Sequence, residues 1–331
     1  MLEFVFSFAT RFPFHMSSMT TLQPRRVMLR ILATAAWAIS MFTSTQAQEI
    51  EPRAYSNAPI GMNFFIAGYA YTDGDLPSGT LPIRNANIET SNAVAAYAHV
   101  FDLWGQSGKI NVILPYTSLS GTAEGTAVLS GQTVERNING YSDMSSKLSI
   151  NLYGAPALSL KEFRNYKQDL IIGASLQITA PTGQYDSSKL VNLSTNRWSF
   201  KPEIGFSKAV GDWTGELQAG ATFFSDNTDF FGGKTRSQKA LYSLQGHAIY
   251  AFNAGVWGSL DATYFAGGRT TIDGTESSDL QQNWRLGGTL AFPIDAHHSI
   301  KLYASSGVSA RTDNNYNLFG IAWQYRWAPG F

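Results

Sequence analysis

The charged side chains Lys109, Lys147, Lys201, Glu203, Glu216, Asp261, Arg285, Lys301 and Arg326 all fall on the polar side of segments that alternate polar and apolar residues. Charges of both signs placed this way have two uses. They can pair across a closed interior and brace its wall, or they can line a watery path and select what passes. Glu216, Asp261, Arg285, Lys301, Arg326, Lys201 and Glu203 are the expected lumen-lining and solute-contacting set. Other chemistries fit less well. His99, His247, His297 and His298 show no metal-ligand spacing, and a solvated loop is the simpler reading of the oxygen ligands Asp226, Asn227 and Asp229. Ser243 and His247 lie about 13 Å apart along an extended strand, so a hydrolase would need a partner from a neighbouring strand. The sequence has no Gly-x-Ser-x-Gly elbow and no phosphate-cradling loop. It also has no cysteine, which excludes disulfides and thiolate sites. No catalytic residue, metal or cofactor is expected.

The elements that carry these residues are strands. Phe319, Ile321, Trp323, Tyr325 and Trp327 are two apart, with the smaller or more polar Leu318, Gly320, Ala322, Gln324 and Arg326 between them. Period two is one face of a β-strand. Pro329 and Gly330 end the pattern, so regular pairing is expected to stop near Trp327. The same alternation sets Tyr242, Leu244, Ala248 and Tyr250 against Ser243, Gln245 and His247. It sets Leu260 and Tyr264 against Ser259, Asp261 and Thr263, and Trp284, Leu286 and Leu290 against Asn283, Arg285 and Thr289. A charge turned toward lipid at the bilayer midplane costs about 2–4 kcal/mol for Lys or Arg, so the polar sets should face inward. Phe64, Phe65, Tyr69, Tyr71 and Tyr97 fit an apolar solute route or interfacial anchoring equally well.

Twelve strand segments are expected: 60–72, 89–103, 109–119, 141–153, 167–180, 196–208, 213–225, 240–252, 256–266, 281–292, 299–309 and 317–327. The links after alternate strands are short (104–108, 209–212, 253–255, 293–298), while those on the other side are longer and polar (73–88, 120–140, 181–195, 226–239, 267–280). That segregation is the outer-membrane pattern of periplasmic turns and extracellular loops. The exception is 154–166, a longer periplasmic link in which 157–163 is expected to form a short helix.

The two ends point to the same compartment. Arg25, Arg26 and Arg30 precede the apolar run 31–42 and the small residues Ser44-Thr45-Gln46-Ala47, the order of a cleavable secretory signal. The run is too short to span a bilayer, which takes about 20 apolar residues. Removing residues 1–47 takes four arginines and one glutamate from 24 basic and 24 acidic residues, leaving a net charge of −3 and no basic stripe for nucleic acid. The reading is an all-β chain: a cleavable signal peptide at 1–47, whose first residues look like an over-extended start, then a periplasmic segment or small plug at 48–59. A transmembrane, antiparallel, up-and-down barrel of about 12 strands follows at 60–331 in the bacterial outer membrane. Its expected partners are outer-membrane lipid, the barrel-assembly machinery through a last strand ending at Phe331, and a small organic solute.

The run Glu51-Pro52-Arg53-Ala54-Tyr55-Ser56-Asn57-Ala58-Pro59-Ile60-Gly61, then Asn63-Phe64 and Gly68-Tyr69, resembles the opening of the family named for the meta pathway of phenol degradation. Leu114-Pro115-Tyr116, Thr179-Ala180-Pro181-Thr182-Gly183 and the aromatic last strand extend the resemblance. It implies an outer-membrane barrel that moves small, often aromatic, molecules, and it carries no catalytic residues onto this chain. A passive channel for such solutes is the expected function. The alternatives are a structural or adhesive barrel without transport and, behind it, an outer-membrane lipase.

Overall fold

A computed structural model describes residues 51–75, 83–125, 133–311 and 315–329. The expected signal peptide at 1–47 and the terminal Phe331 lie outside the described residues, as do 48–50 of the amino-terminal segment. Seventeen strands follow in chain order: β1 Asn63–Asp75, β2 Ile83–Leu103, β3 Gln106–Gly125, β4 Thr133–Tyr141, β5 Ser145–Tyr153, β6 Leu170–Thr179, β7 Ser199–Val210 and β8 Trp213–Phe224, then β9 Asn227–Phe230, β10 Lys234–Gln238, β11 Leu241–Ala251, β12 Trp257–Gly267, β13 Thr270–Ile272, β14 Thr275–Glu276, β15 Gln281–Pro293, β16 His298–Ala310 and β17 Tyr316–Trp327. A single-turn helix, α1 (Leu160–Phe163), lies between β5 and β6, with Ser159 and Glu162 capping each other's backbone.

The wall is a closed antiparallel ring of twelve positions, because β4 and β5 occupy one position in succession beside β3. The ring closes where β1 meets β17, from Asn63 opposite Trp327 to Gly74 opposite Tyr316. Closure leaves no unpaired edge, which is the condition for strands to cross lipid. Turned outward are Ile110, Val112 and Leu114 of β3, Leu217 of β8, Leu244 of β11 and Leu286 of β15, all exposed on the barrel surface. Rings collect at the two ends of this apolar belt. Trp213 packs on Tyr250, and Tyr325 stacks between Trp323 and Trp327 near the short turns. Tyr116 meets Tyr141, and Tyr264 meets Trp284, toward the long loops. Two such girdles mark where hydrocarbon meets headgroups.

The observed strands depart from the sequence reading in three places. First, β2 and β3 pair out to Ile83 opposite Gly125, well past the expected strand ends. Their apolar face stops at the lipid boundary, but backbone pairing continues into water, where a hydropathy pattern gives no sign of it. Second, the expected strand 141–153 starts only at Ser145, as β5, and a further strand, β4, runs through the expected loop 120–140 and ends at Tyr141. Pro115 on β3 has no N–H to give the ladder. Its carbonyl instead accepts from Ser142, and Asp143 turns away to accept the N–H groups of Gly183 and Thr195. Third, the loops 226–239 and 267–280 are structured. β10 pairs with β13, and together with β9 and β14 they form a separate four-stranded sheet above the barrel. Within it Asn227 is committed to the fold, donating to the Tyr185 hydroxyl and accepting from Asn196 and Asp229.

The expected helix 157–163 shrinks to α1. Among the described residues no helix is long and apolar enough to cross a membrane.

Candidate solute path through the barrel

The inner wall has two unlike halves. On β5 the inward residues are Ser145, Lys147, Ser149 and Asn151, and on β7 they include Glu203 and Ser207. Glu216 and Gln218 follow on β8, Gln245 and His247 on β11, and Asp261 and Thr263 on β12, all buried. Across β1, β2 and β3 the inner face is mostly uncharged above Lys109. Ile66 lies opposite Ala96, which lies opposite Ile113, and one row further up Gly68, Val94 and Pro115 stand side by side across β1, β2 and β3.

Residues 51–62 enter from the side of the short turns. Met62 and Gly61 exchange backbone hydrogen bonds with Val100, and Ile60 donates to the Leu158 carbonyl. The segment then runs mainly along the polar half, with one bond from Lys109 of β3 to the Ala54 carbonyl. Tyr55 is its anchor. An added Cβ at Gly173 or at Gly205 would stand 2.2 Å or 2.1 Å from the Tyr55 ring, and these two glycines are direct cross-strand partners on β6 and β7. The ring therefore lies in a slot that any side chain would fill. Its hydroxyl reaches Ser175 Oγ and donates to Glu203 Oε1, each at 3.2 Å.

Around this anchor the charges are matched. Lys147 Nζ contacts Glu51 at 2.5 Å and Glu203 at 3.4 Å, while Lys201 Nζ reaches Glu203 at 3.1 Å. Glu216 accepts the Arg53 N–H at 2.7 Å and the Ser207 hydroxyl at 2.9 Å, and the Arg53 guanidinium sits over the Trp257 ring at 4.9 Å. Lys109 donates to the Ala54 carbonyl and Gln218 to the Glu51 carbonyl. Further round, Asp261 Oδ1 bonds His247 Nδ1 at 2.8 Å, and its other oxygen accepts from Ser259 and Thr289. His247 Nε2 is buried with no hydrogen-bond partner among the described residues, Ser243 included.

Arg285 and Lys301 are different. Arg285 is 2% exposed and faces inward on β15, donating from Nη2 to Ser305 and stacking 3.6 Å from the centre of the Tyr316 ring. Lys301, inward on β16, has the Tyr303 ring at 5.3 Å. Among the described residues neither forms an ion pair, since Glu203, Glu216 and Asp261 are all engaged elsewhere.

Of the residues singled out from sequence, Lys201, Glu203, Glu216 and Asp261 thus stand in matched arrangements, and Arg285 and Lys301 in an unmatched one. Arg326 lies at the rim, donating from Nε to the Ala296 carbonyl in the turn between β15 and β16. Of the five aromatics weighed as a solute route, Phe64 has the inward parity of Ala98, its partner. Phe65, Tyr69, Tyr71 and Tyr97 share the opposite parity, and Phe65, Tyr69 and Tyr97 are exposed on the lipid side. Their alternation was ambiguous because apolar residues fill both faces of β1 and β2. Glu51, Arg53, Tyr55 and the Gly173–Gly205 slot were not foreseen as a site. Tyr55 stands in the resembling motif, but no local pattern links it to glycines more than a hundred residues away.

The closed ring, outward apolar belt, paired girdles and polar interior define an outer-membrane β-barrel. The chain belongs to the family described as "Putative MetA-pathway of phenol degradation", whose model matches residues 72–325. The fold is similar to that of an outer membrane channel from Pseudomonas putida F1, at 20% identity and TM-score 0.68, over 84% of this chain and 100% of that one. It also aligns with the beta domain of the Bordetella autotransporter BrkA, at 12% identity and TM-score 0.48, over 81% and 100% of the two chains. No curated protein matches.

Proposed function

We propose that the chain is a passive outer-membrane channel for small organic solutes, aromatic ones included, held shut at rest by its own amino-terminal segment. The observation that carries this reading is the uneven seating of residues 51–55. From Glu51 to Tyr55 the polar anchors lie on β5–β8 except for Lys109 near the start of β3, and no hydrogen bond among the described residues joins the segment to the apolar rows of Ile66, Ala96 and Ile113 or Gly68, Val94 and Pro115. A wall braced for strength alone would gain from tying both halves. Noncovalent anchoring also permits release, and Ile66, Val94 and Ile113 offer a surface on which an apolar solute would lose little by leaving lipid or water. Twelve strands enclose a space between the side-chain-filled interior of about 8 strands and the wide channel of about 16.

Planar-bilayer conductance of the whole chain and of Gly205→Leu tests the proposal. The leucine occupies the Tyr55 slot and should raise the open fraction about tenfold, the consequence of weakening the seat by ~1.4 kcal/mol. A folded barrel that conducts in neither form would leave the structural or adhesive reading standing.

A further inference from the structure

We infer that the solute is an organic anion, an apolar or aromatic body bearing a carboxylate, guided by the unmatched cations Arg285 and Lys301. This rests on the channel reading and specifies its substrate class.

Three observations converge. The first is the charge balance of the wall. Among the described residues the acids of the inner wall are already engaged: Glu203 in ion pairs with Lys147 and Lys201, Glu216 by the Arg53 backbone N–H and the Ser207 hydroxyl, and Asp261 in hydrogen bonds with His247, Ser259 and Thr289. The positive charge of β15 and β16 is left over. A buried cation without a counter-ion is strongly destabilising, and breaking such a pair by removing one partner is correspondingly costly. The protein nevertheless keeps Arg285 at 2% exposure, with Nε and Nη1 buried and without partners among the described residues. Buried donors of this kind point to an acceptor that the described residues do not supply.

The second observation is that the backbone is adjusted at this position. The register between β15 and β16 shifts between Trp284 and Arg285, so that Trp284 faces Ser309 but Arg285 faces Gly307. Bulges re-aim side chains and are frequent beside functional sites. Here the bulge brings Arg285 opposite a residue with no side chain, and the guanidinium sits over the Tyr316 ring.

The third is the second cation and its neighbours. Lys301 stands six register positions further down the same strand pair, opposite Ala291, about 20 Å along the strand from the Arg285 level. On its other side the inward row runs through Ala322 and Gly68 to Val94, small and apolar. A cation beside an uncharged, narrow surface suits a solute with one anionic end and an apolar body. The sequence offers Arg285 as an upper stop and Lys301 as a lower one. In a lumen with low-dielectric walls, unmatched charge of one sign raises the local concentration of the opposite ion.

Reversal potentials in planar bilayers test this, using potassium chloride gradients and then chloride replaced by benzoate or acetate, on the whole chain and on Gly205→Leu. The expected results are anion preference and a higher permeability for benzoate than for acetate. Lys301→Met is at an exposed position and should fold. It should lower the anion-to-cation permeability ratio about tenfold, the effect of one unit charge at ~12 Å in an effective dielectric of ~20, and Lys301→Arg should restore it. Arg285→Met should lower it further. If Arg285→Met fails to fold, Arg285→Lys, which keeps the charge, should retain the preference. Cation preference, or a ratio unchanged by Lys301→Met, overturns the inference and leaves the channel intact. Absence of conductance from both folded forms removes the channel reading itself.

Discussion

The inner faces of β5–β8 and of β15–β16 are both polar, yet one is electrically complete and the other is not. On β5–β8 the acids and lysines are paired, and the amino-terminal segment supplies the remaining contacts through Glu51, Arg53 and Tyr55. On β15–β16 Arg285 and Lys301 contact a hydroxyl and aromatic rings, with no ion pair among the described residues. The difference separates two uses of charge inside one barrel. Where opposite charges meet within the protein, they hold a segment in place and add little pull on a passing ion. Where one sign is left over, its field extends into the lumen.

The contrast can be broken from the matched side first. Lys147→Met leaves Glu203 and Glu51 facing each other without the shared ammonium, with side-chain exposures of 5% for Lys147 and 2% for Glu203. The barrel should lose about 3–5 kcal/mol, the range for a buried pair deprived of one partner, read as a lower urea midpoint for refolding into lipid vesicles. An unchanged midpoint would mean that these contacts do not brace the wall. The lipid face serves as an outside control. Leu286→Arg places a charge at mid-strand on the outer surface of β15 and should cost about 2–4 kcal/mol in the same assay. A neutral result there would argue that this surface does not meet hydrocarbon.

A finer cut is Tyr55→Phe, which keeps the ring in its slot and removes the hydroxyl from Glu203 and Ser175. Loss of a hydrogen bond to a charged group should weaken seating by about 1.5–3 kcal/mol, seen as faster proteolysis of residues 51–62 from the periplasmic side while the wall stays resistant. Protection equal to that of the unaltered chain would show that packing alone holds the segment. Smallest of all, Lys208→Ala opens the exposed pair with Asp169 at the periplasmic end of β7. It should shift the midpoint by no more than about 1 kcal/mol. A larger loss would blur the distinction between buried, matched charge and surface charge.

How much was readable before the coordinates varies along the chain. β8, β11, β12, β15 and β17 alternate cleanly, and their inward and outward sets stand as the alternation places them. The first two strands did not, because Ala95 and Ala96, or Phe64 and Phe65, satisfy either face. The site was legible as a set of inward charges but not as two groups. Pairing depends on which residue lies across from which, and register is set by closure of the whole ring rather than by any one strand. The Gly173–Gly205 slot is the plainest case: each glycine looks like a flexible strand position until the other is placed opposite it and a ring is laid across both.

What the sequence alone determined is therefore the binary division: which residues face lipid, which face inward, and on which side the short turns gather. Those follow from a local period of two and from the cost of polar groups in hydrocarbon, and neither needs a partner strand. The tertiary structure decided what the inward residues meet. It brought Glu51 to Lys147, set Tyr55 on its glycines, and left Arg285 and Lys301 unmatched. An electrostatic match is a matter of distances between chain segments far apart in sequence, and those distances exist only once the barrel has closed.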